Sequence, residues 1–288
     1  MWILFSLVST AALAGRSLVS KAGVDRQDPY VVAWATVFFS FPVAIAGVAV
    51  MGITVTDQTF WPLMLFRVFL DTVALLTLLT AFRLKSVSYI TPLLSLTPIF
   101  TAIISYYMRG DRISAAGIAG LAFTAVSCIA IYFSERKLTL PENRHDLRKA
   151  TALVALVALI FSFLDPIHTV IIERADEYTY FFISTICFSI VFTTIALIKS
   201  RKQMLESIRN RRLLRLNIAT GMFLGVEVLS FFVALSAAPA VALVSSIRSA
   251  NIALTTAGGY VLFRDRFNRL KLAGIAGVVI GVIVISLS

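Results

Sequence analysis

Charged residues are scarce in this sequence. Asp, Glu, Lys and Arg make up only 14% of the 288 residues, whereas 59% are apolar. A soluble globular domain has about 25% charged residues, which cover its surface. The composition therefore excludes a water-soluble domain, and it excludes a disordered chain for the same reason. It predicts an integral, multi-pass protein of a cell membrane, either an inner or a plasma membrane.

Histidine and cysteine are also scarce, with two residues of each. Cys128 and Cys187 lie inside apolar runs, and two cysteines are too few for a disulfide framework or a zinc site. His145 lies in a loop and His168 in an apolar run, so they do not form a metal-binding motif. The sequence has no phosphate-binding P-loop and no nucleophile motif. We therefore expect no enzymatic activity, no cofactor, no bound metal and no direct use of ATP.

Basic residues outnumber acidic ones by 26 to 15, which gives a formal net charge of +11. In a soluble protein such an excess would indicate nucleic-acid binding. Here the Lys and Arg residues lie in short segments between apolar runs, where anionic lipid headgroups and membrane topology account for them. We expect membrane lipid, and not nucleic acid, to be the partner of these segments.

Ten apolar runs are long enough to cross a bilayer, since a transmembrane helix needs roughly 20 apolar residues. The runs are continuously apolar and do not alternate, which favours helices over barrel strands. The approximate limits of the ten predicted spans are 2–20, 29–51, 60–82, 87–109, 113–134, 150–172, 178–199, 215–237, 240–263 and 269–288. The sequence thus predicts an all-α membrane protein with ten transmembrane helices.

The two halves of the chain share a short pattern. The fourth span is followed by the turn Arg-Gly-Asp-Arg at 109–112, and the ninth by Phe-Arg-Asp-Arg at 263–266. The pentapeptide Ala-Gly-Ile-Ala-Gly then occurs at 116–120 and again at 273–277. A repeat at this spacing is too long for a solenoid and indicates duplication of a five-helix unit.

The duplication divides the chain into a first five-helix repeat at 1–134, a connecting loop at 135–149 and a second five-helix repeat at 150–288. Because five is odd, the second repeat must be inverted relative to the first. Inverted repeats are typical of transporters that bind substrate near the membrane midplane and expose it to each side in turn.

These features resemble the drug/metabolite transporter superfamily, and specifically its EamA-type branch. The likeness rests on the five-plus-five spans, the Asp-Arg turns, the glycine-rich fifth and tenth spans, and Pro98 in the fourth span. Asn251 stands where the second repeat would have its proline, and the usual Leu-Gly-Glu-Arg turn is altered, which leaves the subfamily open. The resemblance implies metabolite export and cytoplasmic termini.

The loop charges predict the opposite orientation. The loops after spans one, three, five, seven and nine hold 20 of the 26 Lys and Arg residues, whereas the loops after the even-numbered spans hold 3. Short loops rich in Lys and Arg remain in the cytoplasm. We therefore predict that both termini are non-cytoplasmic.

Seven ionisable side chains fall inside the predicted spans, where a charge is costly unless it faces a cavity or a partner. They are Arg16, Arg67, Asp71, Asp165, His168, Glu227 and Arg248. Three cations and three anions among them predict a polar chamber whose net charge is near zero.

Arg248 is the leading candidate for substrate binding. It lies in a stripe of small and polar residues that includes Asn251, and a guanidinium group binds carboxylates and phosphates through paired hydrogen bonds. The alternative is a structural ion pair with Glu227, which is itself a candidate ligand for an amine. Arg67 and Asp71 are four residues apart on one helix face, and they either neutralise each other or line the cavity.

Glu227, Asp165 and His168 are the candidates for proton coupling, because carboxyl and imidazole groups inside a membrane can relay protons. A silent ion pair for Glu227 and a simple hydrogen bond for His168 are the alternatives. Pro166 predicts a kink or a break in the sixth span.

Trp34 and Tyr89 are the candidate aromatic contacts to an organic substrate, with ordinary packing as the alternative. Arg16 lies near the end of the first span, from which its side chain can reach the lipid headgroups. Most phenylalanines are expected to face lipid or to pack between helices.

The sequence therefore predicts a secondary transporter that moves a small polar organic metabolite by alternating access, with H⁺ as a possible coupling ion. Charges of both signs favour a zwitterion such as an amino acid. An organic anion, a phosphate ester or a nucleotide sugar is the first alternative, because arginine binds oxyanions well. A lipid-headgroup flippase and a membrane scaffold without transport are alternatives from other classes.

Overall fold

The computed structural model describes residues 2–54, 59–97, 100, 104, 114–138, 144–172, 174–237, 244, 247–248, 250–265 and 268–286. Pro98, the turn at 109–112 and the side chains of Asp165 and Pro166 lie outside this description, although sequence predictions rest on them.

The described residues form an all-helical protein. In chain order the helices are α1 (Trp2–Val24), α2 (Pro29–Phe38), α3 (Phe41–Met51), α4 (Phe60–Leu84), α5 (Val87–Leu93), α6 (Ala115–Leu138), α7 (Arg144–Ile172), α8 (Glu177–Arg209), α9 (Arg211–Ala237), α10 (Asn251–Phe263) and α11 (Arg269–Ser286). Helices are expected here because each satisfies its own backbone hydrogen bonds, which a lipid environment requires.

Among the described residues, seven helical segments are long and apolar enough to cross a membrane. They include α1, the combined α2 and α3, α4, and the helices from α6 to α9. In the predicted fourth span the described helix α5 continues into a 3₁₀ turn at Leu94–Leu96. The prediction of a multi-pass helical membrane protein is confirmed, whereas the number of ten spans remains a prediction.

Helices continue beyond the predicted apolar spans. Helix α6 reaches Leu138 and α7 begins at Arg144, so helices extend from both sides into the predicted connecting loop at 135–149. Lys, Arg and Glu are good helix formers, and they carry the helices beyond the apolar spans. Helix α7 also runs through position 166 to Ile172 without an interruption, so the backbone is not broken there.

Proline and aspartate fix several helix starts. Pro29 stands in the first turn of α2, and Pro42 stands in the first turn of α3 after a break at 39–40. Proline is tolerated there because the first N–H groups of a helix have no intrahelical acceptor. The carboxylate of Asp176 caps α8 by accepting hydrogen bonds from the N–H groups of Tyr178 and Thr179 at 2.9 and 2.8 Å.

Glycine allows close approach of helices at two places. A Cβ atom on Gly221 of α9 would lie 2.6 Å from the backbone carbonyl carbon of Phe39, and one on Gly281 of α11 would lie 3.0 Å from the carbonyl oxygen of Gly120 in α6. Both distances are too short for a side chain. Two pairs of glycines four residues apart, Gly221 with Gly225 and Gly277 with Gly281, therefore serve packing within the chain, as close helix contacts in membranes require.

The principal helix contacts join the first half of the chain to the second. Helix α1 packs along α9, α4 along α7, α2 against α8, α5 against α10 and α6 along α11. Large apolar side chains on the outer faces, such as Leu65, Phe69 and Ile198, are exposed. They form the surface that a bilayer would cover.

Candidate functional site

A cavity of about 310 Å³ lies between the two halves of the chain. In the first half its described lining residues come from α1, α2 and the break after it, α4, and α5 with the residues that follow it. In the second half they come from α7 to α10, with the residues before α10. Helices α6 and α11 pack against each other and contribute no described residue to the lining. Arg16, Arg67, Asp71, Glu227 and Arg248 all line this cavity.

Glu227 binds two arginines. Its carboxylate, only 1% exposed, lies with Oε2 2.7 Å from Arg16 Nε, while Oε1 accepts a hydrogen bond from a terminal nitrogen of Arg248. The hydroxyl of Ser9 donates to the main-chain carbonyl of Glu227 at 3.0 Å, which fixes α9 against α1. The ion pair between Arg248 and Glu227 is therefore present, and Arg16 does not extend to the headgroups.

Arg67 is held on several sides. Its Nε lies 2.6 Å from Asp71 Oδ2, and a terminal nitrogen donates to Ser184 Oγ at 2.5 Å. The guanidinium carbon lies 4.9 Å from the ring centroids of both Tyr180 and Phe188. A cation in contact with two aromatic rings, with a carboxylate and a hydroxyl as partners, is rigidly placed. The predicted pair of Arg67 and Asp71 thus exists and also lines the cavity.

Arg248 has more freedom. Its side chain is 24% exposed, and its guanidinium carbon lies 4.0 Å from the ring centroid of Phe231. Within the described part of the chain, Nε of Arg248 has no hydrogen-bond partner, and neither do Oδ1 of Asn251 and Oγ1 of Thr91. These three buried polar atoms belong to cavity-lining residues. A ligand in the cavity could therefore bond to them without displacing a protein partner.

His168 lines the cavity and is oriented by Tyr180, whose hydroxyl lies 2.6 Å from His168 Nδ1. Tyr180 stacks in turn on Phe232, with ring centroids 4.7 Å apart. His168 thus has the simple hydrogen bond foreseen as an alternative to a proton relay. The side chain of Asp165, the other member of that relay, lies outside the described residues.

Trp34 and Tyr89 are not among the described residues that line the cavity. The Trp34 ring is buried and stacks on Phe38, with centroids 5.4 Å apart. Tyr89 is fully buried, and its hydroxyl bonds to Thr151 Oγ1 at 2.6 Å. Both side chains occupy packing positions in this structure, which is the alternative that the sequence left open.

Aromatic side chains that sequence reasoning assigned to lipid or packing form much of the cavity wall. The lining phenylalanines are Phe161, Phe181, Phe188, Phe192, Phe231 and Phe232. A signal for four of them was available in the sequence. Phe181, Phe188 and Phe192 recur at helical spacing beside Ser184 and Thr185, and Phe231 lies four residues after Glu227, on the same helix face.

The described lining has an excess of positive charge. Three guanidinium groups face two carboxylates, and both carboxylates are already engaged by arginine. Such a site can accept an oxyanion through Arg248, and the aromatic wall can cover an apolar part of the same molecule. Among the described residues no group of three His, Cys, Asp or Glu side chains could hold a metal ion.

Comparisons with known proteins agree with this architecture. The model of the EamA-like transporter family matches residues 1–133 and 148–287. A protein known from a crystal structure shares 15% sequence identity and superposes with a TM-score of 0.73, over 98% of this chain and 96% of that one. At that identity the likeness concerns the fold alone. No curated protein matches the chain.

Proposed function

Because the chain belongs to the EamA-like transporter family, we propose that it is a secondary transporter of a small polar metabolite in a cell membrane, working by alternating access with export as its direction. The observation that carries this proposal is the cavity between the two halves, which is lined by the intramembrane charges of both. A scaffold without transport would bury these ion pairs in a core without a void. A carrier needs such a chamber, with ligand groups from both halves around one site.

Ten spans in two inverted repeats complete the proposal. The helix contacts support it, because they map onto themselves when each helix of one half is exchanged for its counterpart in the other. The counterparts are α1 and α7, α4 and α9, and α6 and α11. The exchange therefore turns the contact of α1 with α9 into the contact of α7 with α4, and it leaves the contact of α6 with α11 unchanged. A twofold relation between the halves produces this pattern of contacts, and such halves can rock about one central site.

A zwitterion such as an amino acid is the substrate class that we propose. Its carboxylate would bind Arg248 on the side of Nε, and its ammonium group would form an ion pair with the carboxylate of Glu227. The exchange replaces a protein ion pair by two pairs with the ligand, so no charge is left uncompensated in a poorly hydrated site. Glu227 also carries the proposed proton, because a carboxylate that releases its arginines can bind H⁺ in their place.

The test uses purified protein in sealed liposomes loaded with one labelled amino acid at a time. For at least one amino acid, efflux should be faster than from liposomes without protein. Arg248→Ala should lower this efflux at least tenfold, which corresponds to about 1.4 kcal/mol of lost binding. Glu227 keeps Arg16 as a partner in this variant, so the fold should persist. Arg212→Ala, which removes an exposed arginine outside the cavity, is the matched control. Equal efflux by both variants would remove Arg248 from the site.

An organic anion is the second candidate, and the excess of guanidinium groups over carboxylates in the described lining favours it. The two candidates separate when an amino acid is compared with the amine and the carboxylic acid of the same carbon skeleton. A zwitterion carrier should move the amino acid at least tenfold faster than either analogue. Equal or faster transport of the carboxylic acid would overturn the zwitterion assignment and leave the anion.

Orientation is tested separately. If the loops rich in Lys and Arg face the cytoplasm, a C-terminal reporter that is active only in the cytoplasm should give no signal. The same reporter fused after Arg212, in the basic first turn of α9, should be active. The reverse result would support the cytoplasmic termini that the family resemblance implies.

A further inference from the structure

The acidic residue of the second Asp-Arg turn connects the two halves of the chain. Helix α10 ends at Phe263, and Arg264 then adopts a left-handed backbone conformation with φ of 54°. This turn brings Asp265 back against the helix, where its N–H donates to the carbonyl of Gly259 at 3.3 Å. The carboxylate oxygen Oδ2 accepts hydrogen bonds from Ser88 in α5, from Oγ at 2.5 Å and from the N–H group at 3.4 Å.

Lys271 closes the network from the other side. Its side chain is only 1% exposed, and Nζ donates to Ser88 Oγ at 3.1 Å. Close by, Asn268 Oδ1 accepts hydrogen bonds from Ser134 Oγ at 2.7 Å and from the N–H of Lys271 at 2.8 Å. Ser88 and Ser134 belong to the first half of the chain, and their partners belong to the second.

Gly259 makes room for this arrangement. A Cβ atom at that position would lie 2.7 Å from Oδ2 of Asp265, which is too short for a contact between carbon and oxygen. The left-handed residue, the glycine and the acid therefore act together to place one carboxylate oxygen at Ser88. The turn does more than end a helix.

The network lies one helical turn away from the cavity, toward the start of α5. Ser88 precedes the cavity-lining Thr91 by three residues in α5, and one turn of α-helix is 3.6 residues. On the other side, Lys21 lies four residues after the cavity-lining Ser17 in α1, and its Nζ donates to the carbonyl of Phe82 at 2.7 Å. These contacts lie toward the ends of α1 and α4 that lead into the basic loops. We name the side of the protein that carries these loops the basic face.

A second set of contacts between the halves lies farther out on the same face. The side-chain amides of Gln27 and Asn217 bond to each other at 3.1 Å. Asp28 accepts a hydrogen bond from Ser200 Oγ at 2.9 Å, and its N–H donates to the side chain of Gln203 at the same distance. Two sets of polar bonds thus join the two halves of the chain on the basic face.

The geometry points to a latch, formed by Ser88, Asp265 and Lys271, that closes the cavity toward the basic face and breaks when substrate passes there. This inference rests on the proposed transport function, since only a rocking motion of the halves requires these bonds to break. Hydrogen bonds to a charged group are stronger than those between neutral groups. The bonds of Ser88 with Asp265 and with Lys271 can therefore keep most molecules in the state that is closed toward the basic face, and they can still break. A purely structural network would instead stabilise both states equally.

The test measures access to the cavity from each side without requiring a substrate. Ser17→Cys, introduced together with Cys128→Ala and Cys187→Ala, places one thiol at the cavity wall. A membrane-impermeant maleimide is added to one side of vesicles, and a separate Arg212→Cys chain reports which side carries the basic face. In this triple variant, with the latch residues unchanged, Cys at position 17 introduced by Ser17→Cys should react more slowly from the basic face than from the opposite face.

Asp265→Ala and Ser88→Ala should each raise the labelling rate from the basic face at least fivefold and lower it from the opposite face. Asp146→Asn, which changes a half-exposed carboxylate in the first turn of α7, is the matched control and should change neither rate. Gly259→Ala, which displaces the carboxylate without removing it, should act in the direction of Asp265→Ala. Unchanged labelling from the basic face in both latch variants would overturn the latch.

The labelling result is independent of transport. A chain that shows the latch response but moves no amino acid, amine or carboxylic acid would contradict the proposed function and leave the latch in place. A chain that transports normally with unchanged labelling would contradict the latch alone. Loss of thermal stability without any change in side preference would assign Asp265 to the fold.

Discussion

Arg16 in α1 and Glu227 in α9 form an ion pair between the two halves of the chain, with Arg16 Nε 2.7 Å from Glu227 Oε2. The same carboxylate binds Arg248, so one buried anion holds a cation from each half. Any ligand that draws Arg248 away therefore also changes the environment of Arg16. This shared carboxylate joins the substrate candidate to the contact between the halves.

Replacing Glu227 by glutamine should destabilise the protein by about 3 kcal/mol, because two arginines would lose their buried counterion. The measurement is thermal or denaturant unfolding of the detergent-solubilised protein, followed by intrinsic fluorescence. Glu206→Gln, at an exposed position of α8, is the control and should change stability by less than about 0.5 kcal/mol. Equal stabilities of the two variants would mean that water in the cavity solvates both arginines.

Arg67→Lys should lower stability by about 1–2 kcal/mol, although the charge is kept. A lysine ammonium group cannot keep the contacts of the guanidinium group to both rings, Tyr180 and Phe188, while also bonding to Asp71. The same unfolding assay measures the loss. Arg83→Lys is the comparison. The Arg83 side chain is 57% exposed and its terminal nitrogen lies 3.6 Å from Asp28 Oδ1, so this exchange should have little effect on stability. If the two exchanges cost the same, the aromatic contacts of Arg67 contribute nothing.

Gly221→Ala should destabilise the protein by about 1–3 kcal/mol, because the new methyl group would overlap the backbone of Phe39 and force α9 away from the break between α2 and α3. Met222→Ala changes the next residue, which is 38% exposed, and should cost less. An unfolding free energy of Gly221→Ala equal to that of the unaltered chain would show that α9 can shift without loss.

Arg264→Gly should stabilise the protein by about 1 kcal/mol, because a left-handed conformation is unfavourable for a residue with a Cβ atom and free for glycine. The first Asp-Arg turn has Gly110 at the equivalent place in its motif. The opposite sign is expected for Arg215→Gly in the helical part of α9, where glycine costs about 1 kcal/mol. A decrease in stability for both variants would show that the Arg264 side chain makes a contact worth more than the backbone strain.

Much of the fold could be predicted because membrane helices are encoded locally. Each apolar run of about 20 residues must be helical in lipid whatever its neighbours are, so the limits of α1 and α4 follow from composition. The C-terminal ends of α6 and α8 could not be predicted from composition, because charged residues that end an apolar run do not end a helix.

The site could be predicted in part. A charge within an apolar run requires a partner or a cavity, and that rule alone selected Arg67, Asp71, Glu227 and Arg248, all of which line the cavity. It gave the pairs of Arg67 with Asp71 and of Arg248 with Glu227 only as alternatives, and it gave Arg16 no partner in the protein, although Arg16 binds Glu227. Trp34 and Tyr89 were selected by residue type, and nothing in a single sequence distinguishes an aromatic ring that packs from one that lines a void.

Hydropathy and the cost of a buried charge act residue by residue, so the order of residues is enough to identify a helical membrane protein with charges inside its spans. The family membership also follows from the sequence. The packed helices were needed to show which charges pair, which phenylalanines line the cavity, and that Asp265 lies against Ser88, 177 residues away. Contacts between distant segments depend on how helices pack, and packing is set by shape complementarity over the whole molecule.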